Sequence, residues 1–148
     1  MTRKRSTYKP RPIIKDTMGW IKQGMTPISA DVDNDIKTKA RMHMAAMALE
    51  QGTADVHDLN TLISVSNIAT GFKNVGKGRD WEQEIRTGAH AVAAIRARLV
   101  KWRKVQATDV EIEAVSLLVR ICEAQLDDSV RADFEKARAV VARMGCAV

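Results

Sequence analysis

The sequence predicts an all-α protein: an antiparallel bundle of about four helices over residues 16–148, behind a disordered basic arm over residues 1–15. Three observations carry that expectation. Trp81, Ile85, Gly88, Val92, Ile95, Leu99 and Trp102 recur at spacings of 4, 3, 4, 3, 4 and 3, the a/d register of a bundle or coiled coil. A second stripe, Ile112, Val115, Val119, Cys122 and Leu126, follows after a short linker at spacings of 3, 4, 3 and 4. Pro27 is the last proline, so nothing downstream forbids long helices. Two such stripes joined by a short turn make an antiparallel hairpin, which earlier helices can close into a bundle. At 148 residues the chain suits one domain, and with aromatics at only 4% the core must be aliphatic.

The net charge of +6 has a location. Residues 1–15 hold Arg3, Lys4, Arg5, Lys9, Arg11 and Lys15 and no acid; removing these six from 24 basic residues leaves 18, against 18 acidic ones. The folded body is therefore formally neutral. Pro10 and Pro12 favour extended backbone before them, and little apolar material precedes Ile13. With Tyr8, those six cations are the candidate binding residues, for DNA or RNA phosphates or an acidic protein patch. A solubilising terminus with no partner is the competing reading. A membrane-surface anchor lacks the amphipathic helix it would need.

Taken in order, a short helix is expected from Asp16 to Gln23, stapled to the core by Met18, Trp20 and Ile21 and ended by Gly24. The next opens at Ser29 or Asp31, with Asp33 and Asp35 favoured by the dipole of the first turn. Ile36, Ala40, Met44 and Met47 form its apolar stripe, and Gly52 ends it. Core filling is expected for this stripe and for Met42, although methionines also suit adaptable binding surfaces. Thr53 is expected to cap a third helix from Ala54 to Phe72, and the glycine-rich stretch from Thr70 to Asp80 reads as a loop.

The Trp81–Trp102 helix comes next, with Gly88 inside its seam, tolerable where a neighbouring helix approaches closely. Its basic end (Arg96, Arg98, Lys101, Arg103, Lys104) suits a helix C-terminus and is a second place where nucleic acid could be met. Thr108-x-x-Glu111 is a capping box for the last helix. Its stripe slips by one residue near Asp127 and Asp128, then resumes through Val130, Phe134, Ala137 and Val141, so a bend near Asp128 is expected rather than a rod.

No catalytic or metal-binding pattern emerges, and no cofactor is expected. His43, His57 and His90 have no diagnostic ligand spacing, and Cys122 falls on an apolar face while Cys146 nears the end. Gly71 to Lys77 imitates a phosphate-binding loop, but Gly78 stands where a hydroxyl is required and no strand precedes it. Asp127 and Asp128 point to different faces, and Ser64 and Ser66 lack a histidine partner. No signal-type apolar segment follows the basic start, and no run nears the ~20 apolar residues of a membrane span. A cytoplasmic location is expected.

The opening RKRSTYKPRPI, followed by DLNTLISVSNIA, GRDWEQEIRTGAHA and CEAQLDDSV, resembles small proteins encoded in phages and prophages of proteobacteria. In those proteins a basic Tyr-x-Pro-x-Pro start precedes helices of similar length. The resemblance covers most of the chain and implies an accessory phage gene in a bacterial host, without a mechanism or a functional residue. The expected function is non-enzymatic: binding a host protein to inhibit or redirect it, as an anti-defence inhibitor does. The alternative is a nucleic-acid-binding module using the arm. An a/d seam also permits a homodimer.

Overall fold

A computed structural model describes residues 24–144. A single 3-10 turn at Ile28–Ala30 precedes α1 (Val32–Glu50) and α2 (Val56–Asn74). A second, at Arg79–Trp81, leads into α3 (Glu82–Trp102), followed by α4 (Asp109–Asp127) and α5 (Arg131–Arg143). The described residues are thus helical, with a lone bridge between Pro27 and Val130 as their extended pairing. The arm and the expected helix at 16–23 lie outside the described residues. None of the described helices is long and apolar enough to cross a membrane.

Local chemistry sets the ends. The Asp31 carboxylate accepts from the Asn34 N–H at the start of α1. Asp55, not Thr53, caps α2: Asp55 and Asp58 exchange side-chain and backbone hydrogen bonds at 2.9 and 3.0 Å. Thr53 instead belongs to the end of α1, where its N–H reaches the Ala48 carbonyl and the Gly52 N–H reaches that of Leu49. Gly52 accordingly adopts φ +72°. The same closure ends α2: Lys77 N–H to Phe72 O at 2.8 Å and Gly76 N–H to Lys73 O at 3.0 Å, with Gly76 at φ +96°. The predicted box at Thr108 and Glu111 is present.

Packing is organised around α2, which touches α1, α3, α4 and α5. Its buried residues Leu59, Leu62, Val65, Ser66, Ala69 and Phe72 form one broad face, Gly71 adds a second point of close contact, and His57, Asn60 and Ser64 stay exposed. The α3 and α4 seams face each other antiparallel: Ile85, Val92 and Ile95 are buried on α3, and Val115, Val119, Cys122 and Leu126 on α4. Both stripes are therefore occupied within the chain. The seam is shorter than its sequence pattern, because Trp81 and Trp102 at its ends are exposed and Leu99 is half-buried.

Two glycines mark the closest crossings. A Cβ on Gly88 would lie 2.7 Å from Leu118 Cβ and 3.2 Å from the Ala114 carbonyl. A Cβ on Gly71 would lie 2.8 Å from the Ala137 carbonyl of α5. Gly71 thus belongs to a buried helix face, not to the loop expected there. Phe72 meets Phe134 across the same crossing, ring centroids 6.2 Å apart.

The expected bend near Asp128 is a complete break, so the expected count of about four helices becomes five among the described residues. Neither glycine nor proline causes it. The Ser129 hydroxyl donates to the Gln125 carbonyl, and the Asp133 carboxylate accepts from the Val130 N–H. The segment before α1 supplies two further bonds, Ile28 N–H to Ser129 O at 3.2 Å and Arg131 N–H to Thr26 O at 2.9 Å. The Lys77 ammonium donates to the Asp128 carbonyl at 3.0 Å.

The Gly88 crossing makes a direct prediction. Gly88→Ala gains about 1 kcal/mol of helix propensity but forces apart packed helices, which costs about 1–3 kcal/mol or more, so a net loss is expected. Urea unfolding should show a lower midpoint with an unchanged slope; a midpoint at or above wild type would mean that α3 and α4 have slack there.

Candidate interaction surface

The first helix departs most from the sequence expectation. Its buried residues are Met42, Ala45, Ala46 and Leu49. The stripe expected in the core faces outward: Ile36 is 59% exposed, Met44 67% and Met47 54%, with Ala40 between them and Val32 (59%) at the helix start. Two apolar stripes run along α1, and its neighbours choose between them. Small Ala45 and Ala46 allow close approach. On the α4 side, the Lys39 ammonium bonds both Asp35 (2.8 Å) and Asp127, and His43 Nε2 meets Glu123 Oε2 at 2.9 Å. Those contacts fix the rotation of α1 about its axis. The Asp127 and Asp35 hydrogen bonds raise the Lys39 pKa from 10.5 to about 12, so it stays charged.

The outward stripe spans residues 32 to 47, roughly 22 Å at 1.5 Å per residue. Four of the exposed large hydrophobic residues therefore lie on one helix face. Lys37 and Arg41 lie along one edge of it, exposed and without an ion-pair partner among the described residues. Contiguous apolar surface with a polar rim is the usual mark of a protein contact, and methionine adapts readily to a partner's shape.

The basic end of α3 divides into two roles. Arg98 is occupied: its guanidinium makes two 2.6 Å bonds to the Glu111 carboxylate and a third, 3.1 Å, to the Gln106 carbonyl, pinning the α3–α4 turn. Arg96, Lys101, Arg103 and Lys104 are exposed. Trp102 is 61% exposed, with the Lys101 ammonium 5.4 Å from its ring centroid. Arg103 takes a left-handed conformation, φ +58°, and closes the helix through its N–H to Leu99 O at 2.8 Å.

The glycine stretch is not a phosphate cradle. Its first residues are helical, and the amides of Val75, Gly76 and Lys77 all bond back to the end of α2. The Lys77 ammonium lies 3.8 Å from the Asp133 carboxylate as well as on the Asp128 carbonyl. His57 and His90 are exposed, and the described residues contain no group of three side chains able to hold a metal ion. Burial pushes the Cys122 thiol up to about 12, an inert core residue. Asp127 is held by Lys39 while Asp128 projects into solvent. Ser64 donates to the Asn60 carbonyl, and Ser66 is buried.

Gln125 went unnoticed in the sequence although it sits three residues after Cys122 on the apolar face. It is buried, and its amide nitrogen donates to the Ala69 carbonyl (3.2 Å) and the Lys77 carbonyl (3.0 Å), tying α4 to the end of α2. The arm residues Arg3, Lys4, Arg5, Tyr8, Lys9, Arg11 and Lys15 lie outside the described residues, as does Cys146.

The Arg98–Glu111 pair predicts an acid-limb effect. The Arg98 hydrogen bonds, aided by the Thr108 cap, hold the Glu111 carboxyl below its ordinary value of 4.5. A depressed carboxylate contributes stability that is present above pH 4.5 and lost as pH falls through the lowered value. Glu111→Gln should be less stable than wild type at pH 7, with the gap closing below pH 4.5 in paired urea titrations. A gap independent of pH would remove the electrostatic account.

The chain matches no family model, no curated protein and no solved structure.

Proposed function

We propose that this chain is a non-enzymatic accessory protein of a phage or prophage that works in the cytoplasm of a bacterial host. It acts by binding a host protein and blocking or redirecting it, in the manner of an anti-defence inhibitor. The observation that carries the binding role is the outward apolar stripe of α1, Val32 to Met47. Keeping such residues in water forgoes burial free energy, roughly 1.5–3 kcal/mol for each large side chain, and a partner's surface recovers it. The neutral folded body favours a protein over a polyanion. The resemblance to phage-encoded proteins supports the setting, and the mechanism as proposed uses no cofactor.

The test is affinity purification of the full chain from host lysate beside Ile36→Asp and Met44→Glu. Wild type should recover one stoichiometric protein, and both variants should lose it while unfolding within about 0.5 kcal/mol of wild type, as exposed positions do. Recovery of the same protein by both variants, or of none across several hosts and salt concentrations, would overturn the proposal.

One observation favours a second reading, a nucleic-acid-binding module. Four exposed cations and an exposed tryptophan gather at the end of α3, and the arm carries six more. Base stacking on Trp102 and phosphate contacts from its neighbours would suit a single strand. If all six arm charges met phosphates, the logarithm of affinity would fall against that of salt with a slope of roughly −5 for duplex DNA. Deleting residues 1–15 should flatten that slope; unchanged affinity and slope would end the arm's role.

A further inference from the structure

Away from α1, a groove of about 370 Å³ runs between α2 and α3, bounded on its third side by the end of α5. Ala89, Ala93 and Val141 supply apolar lining above the buried Ile85, and Lys73, Arg86 and His90 lie among the lining residues. No carboxylate lines it. Its size falls within the range of small-molecule sites, and its make-up matches theirs: apolar walls with a few polar groups set to one side.

The charges are unevenly paired. Lys73 Nζ and Arg86 Nη2 both reach the same oxygen of Glu82, Oε1, at 3.3 and 3.4 Å. One carboxylate thus serves two cations, and local positive charge is left over. Both contacts are longer than the roughly 2.7–2.9 Å of well-formed charged pairs, so Glu82 holds each cation loosely. An incoming acid group could take either cation at closer range. From Arg86 to Ala93 the groove follows α3 for roughly 10 Å at 1.5 Å per residue, room for a tail of moderate length.

We propose that this groove binds a small amphipathic carboxylic acid, its acid group on Lys73 and Arg86 and its unbranched apolar tail along Ala89 and Ala93. An amine of the same shape would meet like charge there. An inorganic anion would gain nothing from the apolar walls.

The test is isothermal titration of the purified full chain with decanoate and decylammonium below their micelle-forming concentrations and with decan-1-ol below its solubility limit. Decanoate should bind saturably, decan-1-ol at least tenfold more weakly, and decylammonium not at all. Arg86→Glu, at an exposed position, should weaken decanoate at least tenfold. Ala89→Phe, which fills the groove, should abolish binding of acid and alcohol alike, and circular dichroism would verify that both variants fold. No saturable decanoate binding, equal binding of acid and alcohol, or decanoate binding indifferent to Ala89→Phe would overturn the proposal. Because purified protein and defined probes are used, the outcome is independent of whether a host protein is captured on α1.

Discussion

The enclosure of α2 by four other helices is the constraint on which the rest of the molecule depends. The ends of α2 reach the surface, and both are closed by the chain itself: an aspartate box at Asp55 and Asp58, and a glycine closure at Gly76. The amide of Gln125 reaches into the same region from α4 and bonds two carbonyls there. Once α2 is enclosed, the surfaces left for function are those its neighbours turn away from it. The outward side of α1 is of this kind, whereas the groove beside α3 keeps part of α2 itself at the surface.

Close approach to α2 and between α3 and α4 is achieved with missing side chains. Gly71 and Gly88 stand where a methyl group would collide with a neighbouring carbonyl or with a leucine. Each lets two backbones come together and brings larger residues into contact alongside, Phe72 with Phe134 in the first case. The two glycines do this within right-handed helices, whereas Gly52 and Gly76 serve by their left-handed conformation at helix ends. A residue type that reads as one signal in sequence therefore performs two physically distinct tasks.

The charged side chains play a corresponding part at the periphery. Arg98 and Glu111 hold the α3–α4 turn, Lys39 and His43 hold α1 against α4, and Lys77 holds the break before α5. These contacts contribute modestly to stability in exposed settings, but they set rotation and register. For α1 that distinction decides which apolar face meets water, since a different rotation would hide Met44 and Met47 and expose Ala45 and Ala46.

Local, periodic features were legible in the sequence: the paired stripes of α3 and α4, the Thr108 box, the closure at Gly52, the tight crossing at Gly88 and the discontinuity near Asp128. Each depends on a few residues close in sequence, where spacing and backbone preference suffice. The orientation of α1 was not legible, because Ile36–Met47 and Met42–Leu49 are both apolar stripes and only the positions of α2 and α4 select one. The burial of Gly71 against Ala137 and the closing of the groove by Val141 likewise arise from helices far apart in sequence. Periodicity determined which segments are helices and which residues share a face; tertiary packing decided which face meets water, and the candidate surfaces follow from that choice.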